Sequence, residues 1–204
     1  MTAVISTGWF WLLAGYLLGS IPFGLLLTRA AGAGDLRRMG SGNIGTTNVL
    51  RTGRKGLAAA TLLLDAGKGA LAVLLARHFF DSATPLAAIG AFLGHVYPVW
   101  LRFRGGKGVA TMLGIAFAFF PPSGVAFALV WVAAALVTRF SSVGGMSGAL
   151  AAPLAALLLG QAQAVALFLG MAILVLWKHR DNIVRLREGV ESRIGQQPSG
   201  AKGE

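Results

Sequence analysis

Three short stretches of this 204-residue chain combine residue types that handle anions. The first is Gly94–Thr111, GHVYPVWLRFRGGKGVAT, where Arg102, Arg104 and Lys107 follow His95 and glycines flank the lysine. Glycine admits positive φ and lets successive backbone N–H groups approach an anion closely; a lysine among them adds a movable charge. The second is Gly40–Arg51, GSGNIGTTNVLR, where Ser41, Asn43, Thr46 and Thr47 supply hydroxyl and amide donors and Arg51 a cation. Such a run can form an anion-binding nest. The third is Lys178–Arg187, KHRDNIVRLR, where His179 and Asn182 share a face if a helix continues through them. Each has a plainer reading alone: a basic turn at a membrane surface, a flexible polar loop, an orientation anchor. Together they form a cationic, donor-rich set suited to a phosphate-bearing ligand.

Other chemistries are excluded or disfavoured. The chain has no cysteine, which removes disulfides, thiolate nucleophiles and Cys-ligated metals. His78, His95 and His179 are far apart and no HExxH occurs, so neither a metal site nor a cofactor is expected. No GxSxG elbow surrounds a serine, and Ser41 reads as a hydrogen-bond donor rather than a nucleophile. A net charge of +11 in a soluble protein would suggest nucleic acid, but here the basic residues sit between apolar segments. They read first as topology signals and second as sites for anionic lipid or substrate, so no nucleic-acid partner is expected.

The elements that must position these residues are membrane helices. The chain is 55% hydrophobic and 12% charged, with mean hydropathy +0.70. Runs such as Gly56–Leu75 and Ser147–Trp177 carry few ionisable residues, and the short alternating segments of a β-barrel are absent. The fold class is therefore all-α, a polytopic integral membrane helical bundle. Trp9–Thr28 is the first span, kinked at Pro22, with no cleaved leader expected before it. Arg29, Arg37 and Arg38 follow it and no basic residue precedes it, which puts the N-terminus outside. Gly56–Arg77 returns outward and Pro85–Leu101 inward. Asp65 and Lys68, three apart in the second span, should pair with each other; alternatively Lys68 extends the anion site.

The stretch Val109–Trp177 divides at Pro121-Pro122, at Arg139 with Gly144-Gly145, and at Gly160–Gln163. Four short spans, about 109–120, 123–138, 146–159 and 163–177, fit better than two of ~45 Å each. They place Arg139 and Ser142 in the cytoplasm, as the charge rule asks. The expectation is seven short transmembrane helices, with five as the alternative, and a cytoplasmic C-terminus. Residues 1–194 form a single domain and 195–204, rich in Gly, Ser and Gln, a disordered tail.

GSGNIGTTNVLR, GHVYPVWLRFRGGKGVAT and WKHRDNIVRL, in this order and spacing, resemble the three motifs of the bacterial acyl-phosphate:glycerol-3-phosphate acyltransferases of the PlsY type. The resemblance spans about Gly8 to Glu191, and the region around Phe140–Gly144 is similar to the family's later loop. It implies a multi-pass enzyme of the bacterial inner membrane with its active site on the cytoplasmic face. Its reaction would move a fatty acyl group from acyl phosphate to the sn-1 hydroxyl of glycerol 3-phosphate, giving lysophosphatidic acid and phosphate. The partners implied are those two substrates and the bilayer, with a monomeric protein expected. The HxxxxD motif of other glycerolipid acyltransferases is absent: Ala83, Trp100 and Val184 stand five residues after the histidines.

Carried over by position, Ser41, Asn43, Thr47, Arg51, Lys107 and Ser142 would hold phosphate, helped by the backbone of Gly106 and Gly108. His95, His179, Asn182 and Ser41 would form the catalytic set, orienting the glycerol backbone or the reacting centre. The base is His95, His179 or a substrate phosphate oxygen. A small hydroxyl residue is expected where Gly145 stands. A transporter would instead show repeats and midplane charges, neither of which the site residues display. A lipid-recruiting scaffold explains the charge but not the Gly/Asn/Thr loop or the histidines.

Overall fold

The computed structural model describes residues 2–195, so all but Gly195 of the expected tail lies outside the described residues. Among the described residues every regular element is helical. In order these are α1 (Thr2–Gly19), α2 (Phe23–Ala30), α3 (Thr46–Leu50), α4 (Lys55–Phe80), α5 (Thr84–Val96), α6 (Val109–Phe119), α7 (Pro121–Thr138), α8 (Ser141–Leu158), α9 (Ala162–Lys178) and α10 (Arg180–Arg187). The breaks follow local chemistry. Pro22 lacks an N–H and separates α1 from α2; Pro85 and Pro121 sit in the first turns of α5 and α7, where that missing donor is harmless. Gly160 ends α8 in the left-handed region. The stretch 109–177 thus divides into four helices near Pro121, Arg139 and Gly160, but Gly144-Gly145, expected at the middle break, lie inside α8, which starts at Ser141.

Four stretches are long and apolar enough to cross a membrane: Thr7–Ala30, Lys55–Leu101, Pro121–Thr138 and Ser141–Leu158. The pair α9–α10, bent by 53°, makes a fifth. Lys55–Leu101 is not one rod. Residues 65 and 95 would lie ~45 Å apart along a straight helix, yet Asp65 Oδ1 and His95 Nδ1 are 3.7 Å apart. The chain folds back at Asp81–Ala83, making α4 and α5 antiparallel neighbours. α6 is apolar but has 11 residues, ~16 Å at helical rise.

Small residues let these helices meet. α1 and α5 run parallel with their backbones in contact: a Cβ on Gly19 would stand 2.0 Å from Ala91 O, and one on Gly94 2.2 Å from Tyr16 O. In lipid, where apolar burial gives little drive between helices, such close approach supplies the packing. The main core is built around Phe92, Met112, Ile115, Phe127, Phe168 and Val175. A second cluster, Leu25, Leu36, Ile44, Val49 and Ala58, lies under the segment between α2 and α4 and anchors it. Large side chains such as Leu136, Val137 and Leu158 stay exposed on the bundle's outside, as a lipid-facing surface allows.

Candidate active site

Within the segment 31–54, above its apolar anchor, one buried side chain ties several backbone turns together. Asn48 is 1% exposed. Its Nδ2 donates to Leu36 O (3.0 Å) and Met39 O (2.9 Å), and its Oδ1 accepts from Ser41 N (3.2 Å). Asn43 Oδ1 accepts from Gly45 N (3.0 Å), turning the chain into α3. Ser41, Thr46, Thr47 and Arg51 are thereby aimed from a pinned loop. Asn48 was not singled out in the sequence. Its type matched the polar loop around it, and only its burial separates strut from donor.

The turn after α5 overturns one expectation. Gly105 N donates to Val96 O (3.2 Å) and Gly106 N to His95 O (3.0 Å), so these two N–H groups cap the end of α5. Gly106 therefore offers no free donor to phosphate. The two glycines are required for close approach instead. A Cβ on Gly105 would lie 2.1 Å from His95 O, and one on Gly106 2.1 Å from His95 Nε2. The glycine pair docks the Lys107 turn onto His95. Gly108 takes φ +88° and caps α6 beneath the Phe92 ring.

At the third motif the chain bends between α9 and α10. His179 Nδ1 lies 2.8 Å from Val175 O. A carbonyl only accepts, so Nδ1 carries the proton and Nε2 presents a lone pair. Gly145 sits against that ring: a Cβ there would approach His179 Nε2 to 3.4 Å and Val109 Cγ2 to 3.0 Å. Lys107 Nζ donates to Asn182 Oδ1. Asn182 Nδ2 donates to Glu191 Oε1 (2.6 Å), Ser142 Oγ donates to the same oxygen (2.8 Å), and Arg185 Nε donates to Glu191 Oε2 (2.7 Å). Glu191, 8% exposed, is thus a buried acid at the hub of a basic site. It was missed because it lies beyond the motif and a lone glutamate in a tail carries no pattern. Ser142 donates to Glu191, so it stands as a strut with its oxygen left as an acceptor.

One cavity of about 180 Å³ collects these parts. Ser41, Asn43, Thr47, Arg51, His95, Lys107, Gly108, Ser142, His179 and Asn182 all line it; Gly106 does not. Thr46 also lines it, and its Oγ1 is buried with no hydrogen-bond partner among the described residues, a hydroxyl left for a ligand. Arg102 and Arg104 are exposed and stand apart from it. Leu62, Leu113, Phe127 and Trp131 form an apolar wall. Asp65 lines it as well. The first residues of α6 and α8, Val109, Ala110, Ser141 and Ser142, line the cavity, and a helix N-terminus favours an anion.

The electrostatics favour an anion. Burial, then the charge of Arg185, lowers the Lys107 pKa from 10.5 to about 8, against the pull of Glu191. Burial likewise lowers the Arg51 pKa. Burial acts to raise the Glu191 pKa, but hydrogen bonds from Asn182, Arg185 and Ser142 win and hold it below the ordinary value. Lys107, Arg51 and Arg185 stand against Glu191, and the charge of Asp65 is met by Lys68, so the site is short of negative charge. The described residues contain no cluster of His, Asp and Glu that could hold a metal ion.

Residues 9–189 match the profile of the family described as glycerol-3-phosphate acyltransferase. The chain belongs to that family. Among its relatives is the glycerol-3-phosphate acyltransferase of Zymomonas mobilis, 57% identical over 89% of this chain and 92% of that protein. That of Methylorubrum extorquens is 52% identical over 97% of this chain and 100% of its own length. In three dimensions the chain resembles PlsY (YgiH), an integral membrane glycerol 3-phosphate acyltransferase, in its glycerol 3-phosphate form. The TM-score is 0.88, with 36% identity over 93% of this chain and 96% of that one. The lysophosphatidic acid form of the same protein gives 0.85 and 34%. Family membership makes the bundle an integral membrane fold and links the chain to phospholipid synthesis as an acyltransferase.

Proposed function

We propose that this chain transfers a fatty acyl group from acyl phosphate to the sn-1 hydroxyl of glycerol 3-phosphate, releasing lysophosphatidic acid and inorganic phosphate. One observation carries the reading. Three stretches far apart in sequence place cations, hydroxyls and two histidines around one cavity with an apolar wall. That combination fits reactants that are anionic at one end and, for the donor, a hydrocarbon at the other.

The chemistry needs little beyond positioning. An acyl phosphate is a mixed anhydride with a good leaving group once its charge is met. Two anions repel, so Lys107 and Arg51 first serve to hold them together, with Ser41, Asn43, Thr46, Thr47 and the Gly108 backbone as donors. Holding two reactants in line can lower a barrier by about 7–11 kcal/mol. Donors set at the developing oxyanion add about 2.7–4 kcal/mol each. The glycerol hydroxyl donates to His95, whose ring stands against the Lys107 turn, and attacks the acyl carbon. The carbon–oxygen bond to phosphate breaks, and the hydroxyl proton ends on the departing phosphate. His179 and Asn182 orient the glycerol backbone. A cavity of about 180 Å³ is below the ~300–1,000 Å³ of sites that enclose a whole ligand. The acyl chain accordingly lies along Leu62, Leu113, Phe127 and Trp131 toward lipid.

The protein works in the bacterial inner membrane with seven spans, the N-terminus outside, and this cavity and the C-terminus facing the cytoplasm. The support is charge: Arg29, Arg37, Arg38, Arg54, Lys55, Arg102, Arg104 and Arg139 flank the elements that form the cavity end, whereas Arg77 stands at the other. The test is purified protein given acyl phosphate and glycerol 3-phosphate, with phosphate and lysophosphatidic acid followed together. Folded protein that forms neither product at any chain length refutes the proposal.

A further inference from the structure

We propose that a recess at the end of the bundle away from the catalytic cavity binds one phospholipid, by a headgroup that carries both a phosphodiester and a primary ammonium. Arg77 receives the phosphate and Asp81 the ammonium. The inference needs only the membrane fold and is independent of the reaction assigned above.

The recess exists because α6 is short. α4 and α6 both run from the catalytic cavity toward this end. They meet where Gly114 packs against the Ala66 carbonyl. From that level α6 rises about 8 Å to Phe119, whereas α4 rises about 16 Å to Arg77. α6 therefore stops below the end of α4. The gap above it is a cavity of about 560 Å³, lined by Arg77, Asp81, Ser82, Phe119, Gln161 and Gln163 among others. That volume lies within the range of small-ligand sites. Arg77 arches over the gap. Its Nη1 donates to Ala118 O (2.7 Å) and its Nη2 to Phe119 O (2.8 Å), and its guanidinium carbon lies 6.0 Å from the centre of the Phe119 ring.

The charge rule gathers cations at the catalytic end and gives no reason for one here. An ionisable side chain on a membrane helix points by default to a functional partner. A guanidinium has more N–H donors than the two carbonyls use, and Arg77 makes no further hydrogen bond among the described residues. Asp81 stands beside it without bonding it: Arg77 Nε and Asp81 Oδ1 are 3.9 Å apart, beyond a hydrogen bond. The Asp65–Lys68 pair expected from the sequence is the contrast. Both side chains are buried, and Lys68 Nζ donates to Asp65 Oδ1 (2.6 Å) and to Ile21 O (2.7 Å), so that pair is closed. Arg77 and Asp81 form an open pair at the helix ends, where a spanning bundle meets lipid headgroups. One cation and one carboxylate side by side complement a zwitterion. A phosphodiester takes charge-assisted bonds from the free N–H groups of Arg77. An ammonium donates to Asp81, with the amides of Gln161 and Gln163 beside it. A glycerol headgroup leaves Asp81 without a cation, and a quaternary choline nitrogen has no N–H to donate. The acyl chains follow the exposed apolar outside of the bundle.

Thiol protection in lipid nanodiscs tests it. Ser82→Cys puts a single thiol of a cysteine-free chain in the recess. Its alkylation by a soluble maleimide should be about tenfold slower in discs that contain phosphatidylethanolamine than in discs of phosphatidylcholine alone or with phosphatidylglycerol, the protection of a site about nine-tenths filled. Equal rates in the three compositions overturn the proposal. Leu159→Cys lies at the same end but outside the recess; slowing there as well is a bulk effect of the bilayer and also overturns it. Adding Asp81→Asn should cut the protection at position 82 to about twofold or less, because a full charge is lost from the ammonium's partner. Full protection in that variant overturns the pairing. Asp81→Asn alone should leave acyl transfer within about twofold, since the recess lies apart from the chemistry; a larger loss refutes that separation. Arg77→Lys keeps a cation without the planar fork and should weaken protection by about threefold or more; unchanged protection removes Arg77 as the phosphate ligand. Soluble glycerophosphoethanolamine should not protect the thiol in phosphatidylcholine discs. Protection by it reveals a site for the free ester and overturns the lipid assignment.

Discussion

Raising the pH through 8 should empty the anion site of one charge. Lys107 has its pKa lowered from 10.5 to about 8 by burial and then by Arg185. Below that value Lys107 is charged and the site complete; above it the charge is lost. About nine-tenths of the molecules hold the charge one pH unit below and about one-tenth one unit above. Glycerol 3-phosphate stays a dianion throughout, since a phosphate monoester loses its second proton near ~6. Its kcat/KM should therefore be level from about pH 6.5 to 7.5 and then fall about tenfold per unit above pH 8, because this ratio reports the free enzyme. Bound dianion raises the lysine's pKa again, so kcat at saturation should break at higher pH than kcat/KM. Binding at pH 8.5 should take up protons, seen as a calorimetric heat that depends on buffer ionisation. Lys107→Arg keeps a cation, and its kcat/KM should show no break near 8. The same shift has a stability side. Between pH 8 and 10.5 the unfolded chain binds more protons at this position than the folded one, so stability rises with pH across that window. Holding Lys107 charged at neutral pH costs about 3 kcal/mol, and its bond to Asn182 returns about 1. Lys107→Met should then be inactive yet about 1–2 kcal/mol more stable at pH 7. A kcat/KM flat to about pH 9.5, or the same break in Lys107→Arg, refutes the reasoning.

Other positions separate geometry from charge. Gly106→Ala drives a Cβ to 2.1 Å from His95 Nε2, so kcat should fall about 10²-fold or more while the helical content stays unchanged by circular dichroism. Glu191→Ala leaves Asn182, Ser142 and Arg185 without their acceptor and should cost about 3 kcal/mol or more; Glu191→Gln keeps one acceptor and should cost less by thermal unfolding. Because the Glu191 pKa is held below its ordinary value, its contribution is present at neutral pH and is lost as pH falls through the folded value. Arg139→Cys, a single thiol in a cysteine-free chain, should resist impermeant reagents applied from outside; labelling from outside would overturn seven spans.

The three motifs pointed to phosphate chemistry because residue type limits what a loop can bind: they hold glycines, hydroxyls, amides and cations, with Asp181 as the one carboxylate. The helix positions were equally open to reading, since Pro22, Pro121-Pro122 and Gly160 stand at helix ends, although Pro153 lies inside α8, and apolar runs of membrane length have few folds available. Tertiary structure decided the rest. It turned Gly106 from an expected phosphate donor into part of the Gly105–Gly106 contact that seats Lys107 on His95, because the α5 carbonyls needing partners are visible only once the chain has doubled back. It brought Glu191 into the middle of the cations and made Asn48 a strut, through burial and hydrogen bonds between residues remote in sequence. It set Asp65 behind His95 because α4 and α5 reverse at Asp81–Ala83, bringing together two residues that a straight helix would hold ~45 Å apart. Local sequence determines which groups are present and where helices stop; which nitrogen faces which oxygen depends on how those helices pack.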